Sequence, residues 1–202
     1  MLIEHCGDRP VVDKSAYVAP NAVLSGNVTI GSNSCVLFGA VITADGGPVE
    51  IASDCVIMEH AVIRGTPRHP TRVGSRVLVG PHAHLTGCAI ADDVVVATGA
   101  TVFNGAEVGA GSEVRINGVV HVNSLVAPAT TVPIGWIAVG RPARLFPPEA
   151  HDAIWEVQRE MDFSGTVFGM SRATSVGERT QHYARALRDS HSDDVVREHS
   201  AG

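Results

Sequence analysis

A six-residue recurrence of aliphatic side chains is the feature of this sequence that most constrains its fold. A period of six fits neither the 3.6-residue repeat of an amphipathic helix nor the two-residue alternation of a single strand. It fits short strands joined by tight turns, with three hexapeptides in each coil of a stacked β-solenoid. The recurring positions are Val18, Leu24, Ile30, Val36 and Ile42, then Ile51, Ile57 and Ile63, then Val73, Val79 and Leu85, and finally Ile90, Val96, Val102, Val108, Val114, Val120, Val126, Val132 and Ala138.

The composition agrees with such a fold. Aromatic residues make up only 4% of the chain, whereas 21 of its 202 residues are glycine. A small residue stands four positions after many of the recurring aliphatic ones, as at Ala22, Ala40, Ala61, Ala83 and Ala100. This pattern favours many short strands lined by small and branched side chains over a helical bundle filled with Leu and Phe.

Two short insertions interrupt the period. Residues 43–50 read TADGGPVE and residues 64–72 read RGTPRHPTR, so glycine and proline mark both as loops that bulge from the solenoid. Loops held on a rigid scaffold are frequent locations of functional residues. We therefore search for a site near these two insertions.

The repeat pattern, which covers roughly residues 12–144, resembles the hexapeptide-repeat family. The resemblance implies an all-β fold, a left-handed parallel β-helix followed by a C-terminal α-helix. Pro147, Pro148 and Glu149 are suited to open that helix, and apolar residues recur along one face behind them. We divide the chain into a β-helix domain (1–146), a helix and extension that pack on the solenoid (147–170), and a polar, partly mobile tail (171–202).

Charge and composition exclude several classes of partner. The formal net charge of −6 provides no basic surface for nucleic acid. No apolar run approaches the length of a membrane span, and the first residues lack the pattern of a secretory signal. We expect a cytoplasmic protein whose four scattered cysteines are buried, reduced thiols.

Alignment of the coils across the insertions brings distant residues together. His60 lies three residues after Ile57 and His82 three residues after Val79, so the two histidines are predicted to stack at one corner, with His84 nearby. On the neighbouring face Arg64 is predicted to lie between Thr43 and Thr86. Because the loop that carries Asp45 is close to that face, an Arg64–Asp45 ion pair is expected.

Within the hexapeptide-repeat family, the sequence is most similar to γ-class carbonic anhydrases. The insertions fall where that class has them, Asp45 matches its Arg-Gly-Asp region, and Gly80 to Cys88 matches its Gly-His-x4-His-Gly-Cys motif. The resemblance implies a homotrimer that holds zinc or another divalent metal with three histidines shared across a subunit interface. Here, however, the three ligand positions align with Arg64, Pro81 and Thr86, and the family's arginine aligns with Thr43, so efficient carbonic anhydrase activity is not expected.

The histidines leave three interpretations open. His60, His82 and His84 could rebuild a metal site one corner away, with a further ligand from a neighbouring subunit. Alternatively His82 could act as a base while Arg64, paired with Asp45, orients a carboxylate, with His84 as a further catalytic candidate. The third interpretation is that these histidines are structural or simply face solvent.

Three functions follow from these interpretations. The first is a γ-carbonic-anhydrase-like protein with a small-molecule site at the trimer interface. The second is an acyltransferase that uses a CoA thioester, with Arg141 and Arg144 meeting the CoA phosphates. The third is a non-catalytic trimeric scaffold. Trimer formation is expected in each case, because closed symmetry would bury the flat, valine-rich sides of the solenoid.

Overall fold

Short parallel strands wound into a solenoid form most of the molecule. The structure, a computed structural model, describes residues 1–197, with only the backbone of Arg197 included. Three parallel sheets run the length of the solenoid, and each coil contributes a strand to each sheet in turn. This confirms the predicted β-solenoid followed by a C-terminal helix.

Each sheet is built from every third strand along the chain. The first sheet contains β1 (Leu2–Glu4), β4 (Val23–Ser25), β7 (Val41–Ala44), β10 (Val62–Gly65), β13 (His84–Thr86), β16 (Thr101–Val102), β19 (Val119–Val120) and β22 (Ile137–Val139). The second contains β2 (Val11–Val12), β5 (Val28–Ile30), β8 (Val49–Ile51), β11 (Thr71–Val73), β14 (Ala89–Ile90), β17 (Glu107–Val108) and β20 (Leu125–Val126). The third contains β3 (Tyr17–Val18), β6 (Cys35–Val36), β9 (Val56–Ile57), β12 (Leu78–Val79), β15 (Val95–Val96), β18 (Glu113–Val114) and β21 (Thr131–Val132).

The strand register confirms the coil alignment made from the sequence. Ile63 of β10 pairs with Ile42 on one side and with Leu85 on the other. Arg64 pairs in the same way with Thr43 and Thr86. The inserted loops therefore leave the register of the coils before and after them unchanged.

The recurring aliphatic side chains fill the interior of the solenoid. Ile42, Ile63 and Leu85 are all 0% exposed, and so are the small corner residues Ala61 and Ala83. Full burial of a Leu or Ile side chain contributes about 1.5–3 kcal/mol relative to leaving it in water. Because each coil buries such a set, every coil adds a similar contribution to the stability of the solenoid.

Left-handed backbone conformations recur at one corner of the coils. In five successive coils, the position three residues after the third-sheet aliphatic residue has positive φ, and it is occupied by Gly39, His60, His82, Gly99 and Asn117. Glycine adopts this conformation without strain, and Asn and His tolerate it better than most residues. His60 and His82 therefore occupy turn positions whose backbone geometry is set by the coil.

The C-terminal segment, which we define as residues 147–197, lies along the outer face of the first sheet. It contains α1 (His151–Gln158), a 3₁₀ turn (Arg159–Met161), α2 (Phe163–Phe168), α3 (Val176–Ser190) and β24 (Val195–Arg197), and it is preceded by β23 (Arg144–Phe146). β23 pairs antiparallel with β22 at the last coil, whereas β24 pairs antiparallel with β1 at the first coil. The segment thus returns the chain from one end of the solenoid to the other.

The tail predicted to be polar and partly mobile has regular secondary structure in its described part. A capping box joins Ser175 and Glu178 at the start of α3: the Ser175 side chain accepts from the Glu178 N–H, and the Glu178 side chain accepts from the Ser175 N–H. The proposed domain boundaries and the mobility of the tail remain predictions, and residues 198–202 of the tail lie outside the described residues. Across residues 1–197, none of the helices has the length and apolar character needed to cross a bilayer.

Candidate functional site

Two polar groups meet on the outer face of the first sheet, where sequence analysis placed them. Arg64 projects from β10 between Thr43 and Thr86, and its Nε donates to Asp45 Oδ2 at 2.5 Å. The two side chains are largely withdrawn from water, since that of Arg64 is 26% exposed and that of Asp45 13%. The predicted ion pair is therefore present. We call the set Thr43, Asp45, Arg64, His84 and Thr86 the Arg64 site.

Helix α3 covers this pair from outside. The Arg64 guanidinium carbon lies 5.8 Å from the centre of the Tyr183 ring, a cation–π contact. Burial is the largest influence on the pKa of Arg64 and lowers it, but Asp45 and Tyr183 together outweigh burial and raise the pKa above its usual value. The guanidinium therefore remains a fixed positive charge in a half-buried position.

His84 is the histidine that belongs to the Arg64 site. Its Nε2 lies 2.8 Å from Thr86 Oγ1, two residues along the same strand. Although part of the ring is exposed, burial of the rest lowers the pKa of His84, and the positive charge of Arg64 lowers it further. A neutral imidazole with a hydrogen-bonded orientation thus stands beside a fixed cation at neutral pH.

His60 and His82 stack at the corner, as predicted. Their ring centroids are 5.2 Å apart and the rings are within 8° of parallel. His84 is not part of a compact donor group with them: in residues 1–197, His60, His82 and His84 do not form a set whose donor atoms all lie within 4.8 Å of one another. Metal binding at this corner consequently stays a prediction that needs ligands from elsewhere.

Comparisons with known proteins place the chain in a family. No family model matches it. It is 30% identical over 159 residues to a carbonic anhydrase of Geobacillus kaustophilus, covering 79% of this chain and 84% of that protein. It is also 33% identical over 141 residues, 67% of this chain, to the mitochondrial gamma carbonic anhydrase 1 of Arabidopsis thaliana, of which it spans about half, 49%.

This chain belongs to the γ-carbonic-anhydrase-like branch of the hexapeptide-repeat superfamily. Solved structures agree on the fold: a hexapeptide transferase family protein of Anaplasma phagocytophilum superposes with a TM-score of 0.53 at 25% identity, covering 80% of this chain and 92% of that one. The left-handed β-helix expected from the resemblance is therefore confirmed.

The donor chemistry of this γ-carbonic anhydrase homologue does not fit zinc at the family's ligand positions. Arg64 presents a cation, already bonded to Asp45, where the family's pattern has an imidazole. Pro81 has no side-chain donor atom, and the Thr86 hydroxyl, bonded to His84, is a poor zinc ligand. None of these three residues therefore supplies the imidazole that the resemblance implies at its position.

The two arginines proposed for CoA lie apart from the Arg64 site, near the last coil. Arg141 is exposed and its Nη2 donates to Glu107 Oε1 at 2.9 Å. Arg144, in β23, is also exposed and lies over the Phe146 ring at 4.8 Å. Their role in binding CoA remains a prediction.

Sequence analysis missed the contribution of α3 to the site, where Tyr183 covers Arg64. Phe163, which belongs to the part expected to pack on the solenoid, contacts Phe103 and His121 farther along the same face. A usable signal existed, since Ser175 followed three residues later by Glu178 is a helix-start pattern. The contact between α3 and Arg64, however, is long-range and carries no local signature.

Proposed function

We propose that this γ-carbonic anhydrase homologue binds a small carboxylate-bearing molecule at the Arg64 site without a metal, at an interface between subunits of a homotrimer. The observation that carries this proposal is the replacement of a metal-ligand position by Arg64, held half-buried beside neutral His84. An arginine fork recognises a carboxylate through two parallel hydrogen bonds. The site would therefore bind an anion, whereas the family's ligand pattern binds a cation.

His84 suits the role of a base towards such a ligand. Its lowered pKa keeps it neutral at neutral pH, so that it can accept a proton from a bound substrate. The contact with Thr86 Oγ1 orients its ring. Arg64 would meet the ligand through its terminal nitrogens while Nε stays with Asp45. This assigns base chemistry to His84 rather than to His82, which lies at the corner.

Loss of the ligand positions argues against efficient hydration of CO₂. Zinc lowers the pKa of its bound water to near 7 only when three protein ligands hold it and leave one position open. Here those positions are Arg64, Pro81 and Thr86. We expect no catalysis of CO₂ hydration at these three positions, whether or not zinc is added.

Exposed apolar side chains support the homotrimer. Tyr17, Leu78 and Val95 all project from the third sheet and are 46%, 38% and 38% exposed, and Phe38 at the adjacent corner is 48% exposed. A column of exposed apolar residues marks an interaction surface. Three parallel solenoids would bury this column by closed symmetry.

Binding of small carboxylates tests the proposal. Isothermal titration with bicarbonate, acetate and succinate should detect at least one ligand of the wild-type protein, and Arg64→Lys should weaken its binding by at least about tenfold, because lysine keeps the charge but loses the fork. Arg72→Lys, at an exposed arginine paired with Glu50, is the matched control and should leave binding unchanged. Equal affinity in both variants would contradict the proposal, and so would zinc-dependent CO₂ hydration that persists in His191→Ala.

An acyltransferase that uses a CoA thioester is the second candidate. It is favoured by the fold similarity to a hexapeptide transferase family protein and by the exposure of Arg141 and Arg144. It predicts that CoA raises the melting temperature of the wild-type protein and that Arg141→Ala with Arg144→Ala removes this increase. A melting temperature that does not change with CoA concentration would argue against this candidate.

A further inference from the structure

Two imidazoles and a carboxylate meet where the C-terminal segment returns to the first coil. His5 Nδ1 lies 2.6 Å from Asp194 Oδ1, and His191 Nδ1 lies 2.9 Å from Asp194 Oδ2. The two imidazole centroids are 4.7 Å apart. Within residues 1–197, this is the one group of three or more His, Cys, Asp or Glu whose donor atoms all lie within 4.8 Å of one another.

The group is partly enclosed but accessible. His5 is 2% exposed as a residue, whereas the side chains of Asp194 and His191 are 27% and 37% exposed. An ion could therefore reach the group from the side of the C-terminal segment. Its inner wall is the rigid first coil, so one ligand is fixed before the others close on it.

We propose that His5, His191 and Asp194 bind a divalent zinc ion that fastens the C-terminal segment to the first coil, with water in the remaining position. Two imidazole nitrogens and one carboxylate oxygen form a donor set that suits zinc, which accepts both donor types at about 2.0–2.2 Å. The ion would take the place of the two hydrogen bonds that Asp194 now accepts. This site is separate from the inherited positions at Arg64, Pro81 and Thr86, and it does not depend on the ligand proposed there.

The protons displaced by the ion have acceptors. Because an ionised carboxylate only accepts hydrogen bonds, both Nδ1 atoms carry the proton when no metal is bound. Coordination through Nδ1 moves each proton to the Nε2 of the same ring. His191 Nε2 then faces Asp45 Oδ1 at 3.8 Å, and His5 Nε2 faces Cys6 Sγ at 3.5 Å. The tautomer change therefore requires no net loss of protons.

Asp45 supplies a second independent observation in support of the site. Its Oδ1 is buried and has no hydrogen-bond partner among residues 1–197. Buried polar atoms are satisfied in most proteins, so an orphaned carboxylate oxygen requires an explanation. A metal-bound imidazole normally donates its other N–H to such a carboxylate. Metal binding would draw His191 Nε2–H towards Asp45 and satisfy the orphaned oxygen.

Zinc at this site would also hold in place α3, the helix that covers Arg64. Asp194 is followed by β24, which pairs with β1, and it is preceded by α3, which carries Tyr183 over Arg64. Fastening His191 and Asp194 to His5 would therefore hold both elements in place. Removal of the ion is expected to loosen α3 and β24 while leaving the solenoid coils intact.

Metal analysis of the full-length chain, purified without a histidine tag and stripped with a chelator, tests the proposal. Titration with Zn²⁺ alone should load one equivalent per chain, and Co²⁺ should give the visible absorption of a four-coordinate site. His191→Ala and Asp194→Ala should each reduce loading to less than about a tenth. Asp45→Asn should weaken zinc binding by about 10–100-fold, the usual effect of losing a carboxylate partner of a metal-bound histidine.

Two controls keep the outcome specific. His182→Ala, at an exposed histidine of α3 outside the group, should load zinc as the wild type does. Hydrogen exchange should show zinc-dependent protection confined to residues 176–197 and the first coil. The proposal fails if the wild type binds less than a tenth of an equivalent. It also fails if loading is lost in His60→Ala with His82→Ala but retained in His191→Ala, because the ion would then belong to the histidine corner.

Discussion

Arg64 and Asp45 lie 19 residues apart in the chain and are joined by a 2.5 Å hydrogen bond across two adjacent coils. The pair is shared between two parts of the molecule, because Tyr183 covers Arg64 and His191 Nε2 lies 3.8 Å from the second oxygen of Asp45. One half-buried ion pair thereby connects the solenoid face to the C-terminal segment. Loss of this ion pair should therefore destabilise both the solenoid face and the C-terminal segment.

The first prediction concerns the stability that this pair provides. Asp45→Asn leaves the Arg64 charge half-buried without its partner, so we expect the free energy of unfolding to fall by about 2 kcal/mol, between the values typical of exposed and of buried pairs. Chemical denaturation measures the change. The matched control is Asp93→Asn in the exposed Arg76–Asp93 pair, where water screens the charges and the loss should be clearly smaller. Equal losses in the two variants would show that the burial of the Arg64–Asp45 pair has no energetic weight.

The second prediction concerns the pH dependence of stability. Burial lowers the pKa of His121 below its usual value, and its buried Nδ1 has no hydrogen-bond partner in the described part of the chain. In the window below about pH 6.5 the unfolded chain therefore binds more protons than the folded one, so the free energy of unfolding falls as the pH falls. His69 and His84, whose pKa values are also lowered, act in the same direction.

The change of stability with pH is measured by thermal unfolding between about pH 7.5 and about pH 5, a range that brackets the usual histidine pKa. His121→Phe places an apolar ring between Phe103 and Phe163 and should reduce the slope, whatever its effect on the melting temperature at neutral pH. His151→Ala, at an exposed position, should leave the slope unchanged. A slope that stays the same in His121→Phe would contradict the prediction.

The third prediction uses two glycines in contrasting surroundings. A Cβ on Gly65 would collide with the backbone carbonyl oxygens of Gly47 and Pro48 in the first inserted loop. Gly65→Ala should therefore destabilise the protein by several kcal/mol or prevent folding, since the obstructing atoms are backbone. A Cβ on Gly177 in α3 meets nothing within 4 Å, so Gly177→Ala should be neutral or stabilise the helix by up to about 1 kcal/mol. Circular dichroism on denaturation compares the two.

The sequence predicted the solenoid well because its signal is local and repeated. The spacing of Ile42, Ile63 and Leu85 reports a coil whose every turn obeys the same rule, so alignment by period recovered their register. The same alignment predicted the Arg64–Asp45 pair and the His60–His82 stack. These contacts follow from strand pairing alone.

The contacts with the C-terminal segment could not be obtained in this way. Asp194 lies 189 residues from His5, and no repeat connects α3 to the first sheet. The placement of His84 was also only partly foreseen. His84 is only two residues from His82 in the sequence, and the side chain of Ala83 between them points into the solenoid interior. His84 itself lies on the outer face of β13, where its ring contacts Thr86 and is near Arg64. Distance along the chain was a poor guide to which residues share a site.

The fourth prediction concerns the reactivity of the four cysteines, which are free thiols but, contrary to the expectation from the sequence, are not all buried. Burial raises the pKa of the Cys88 thiol to about 12, and burial also raises that of Cys55, whereas Cys6 is exposed. Because the thiolate is the reactive species, iodoacetamide should alkylate Cys6 in the native protein and leave Cys88 unmodified until the chain unfolds. Mass spectrometry of tryptic peptides identifies the sites. Cys6→Ser should remove the fast phase of labelling, and early modification of Cys88 in the native protein would show that its coil opens far more readily than its packing implies.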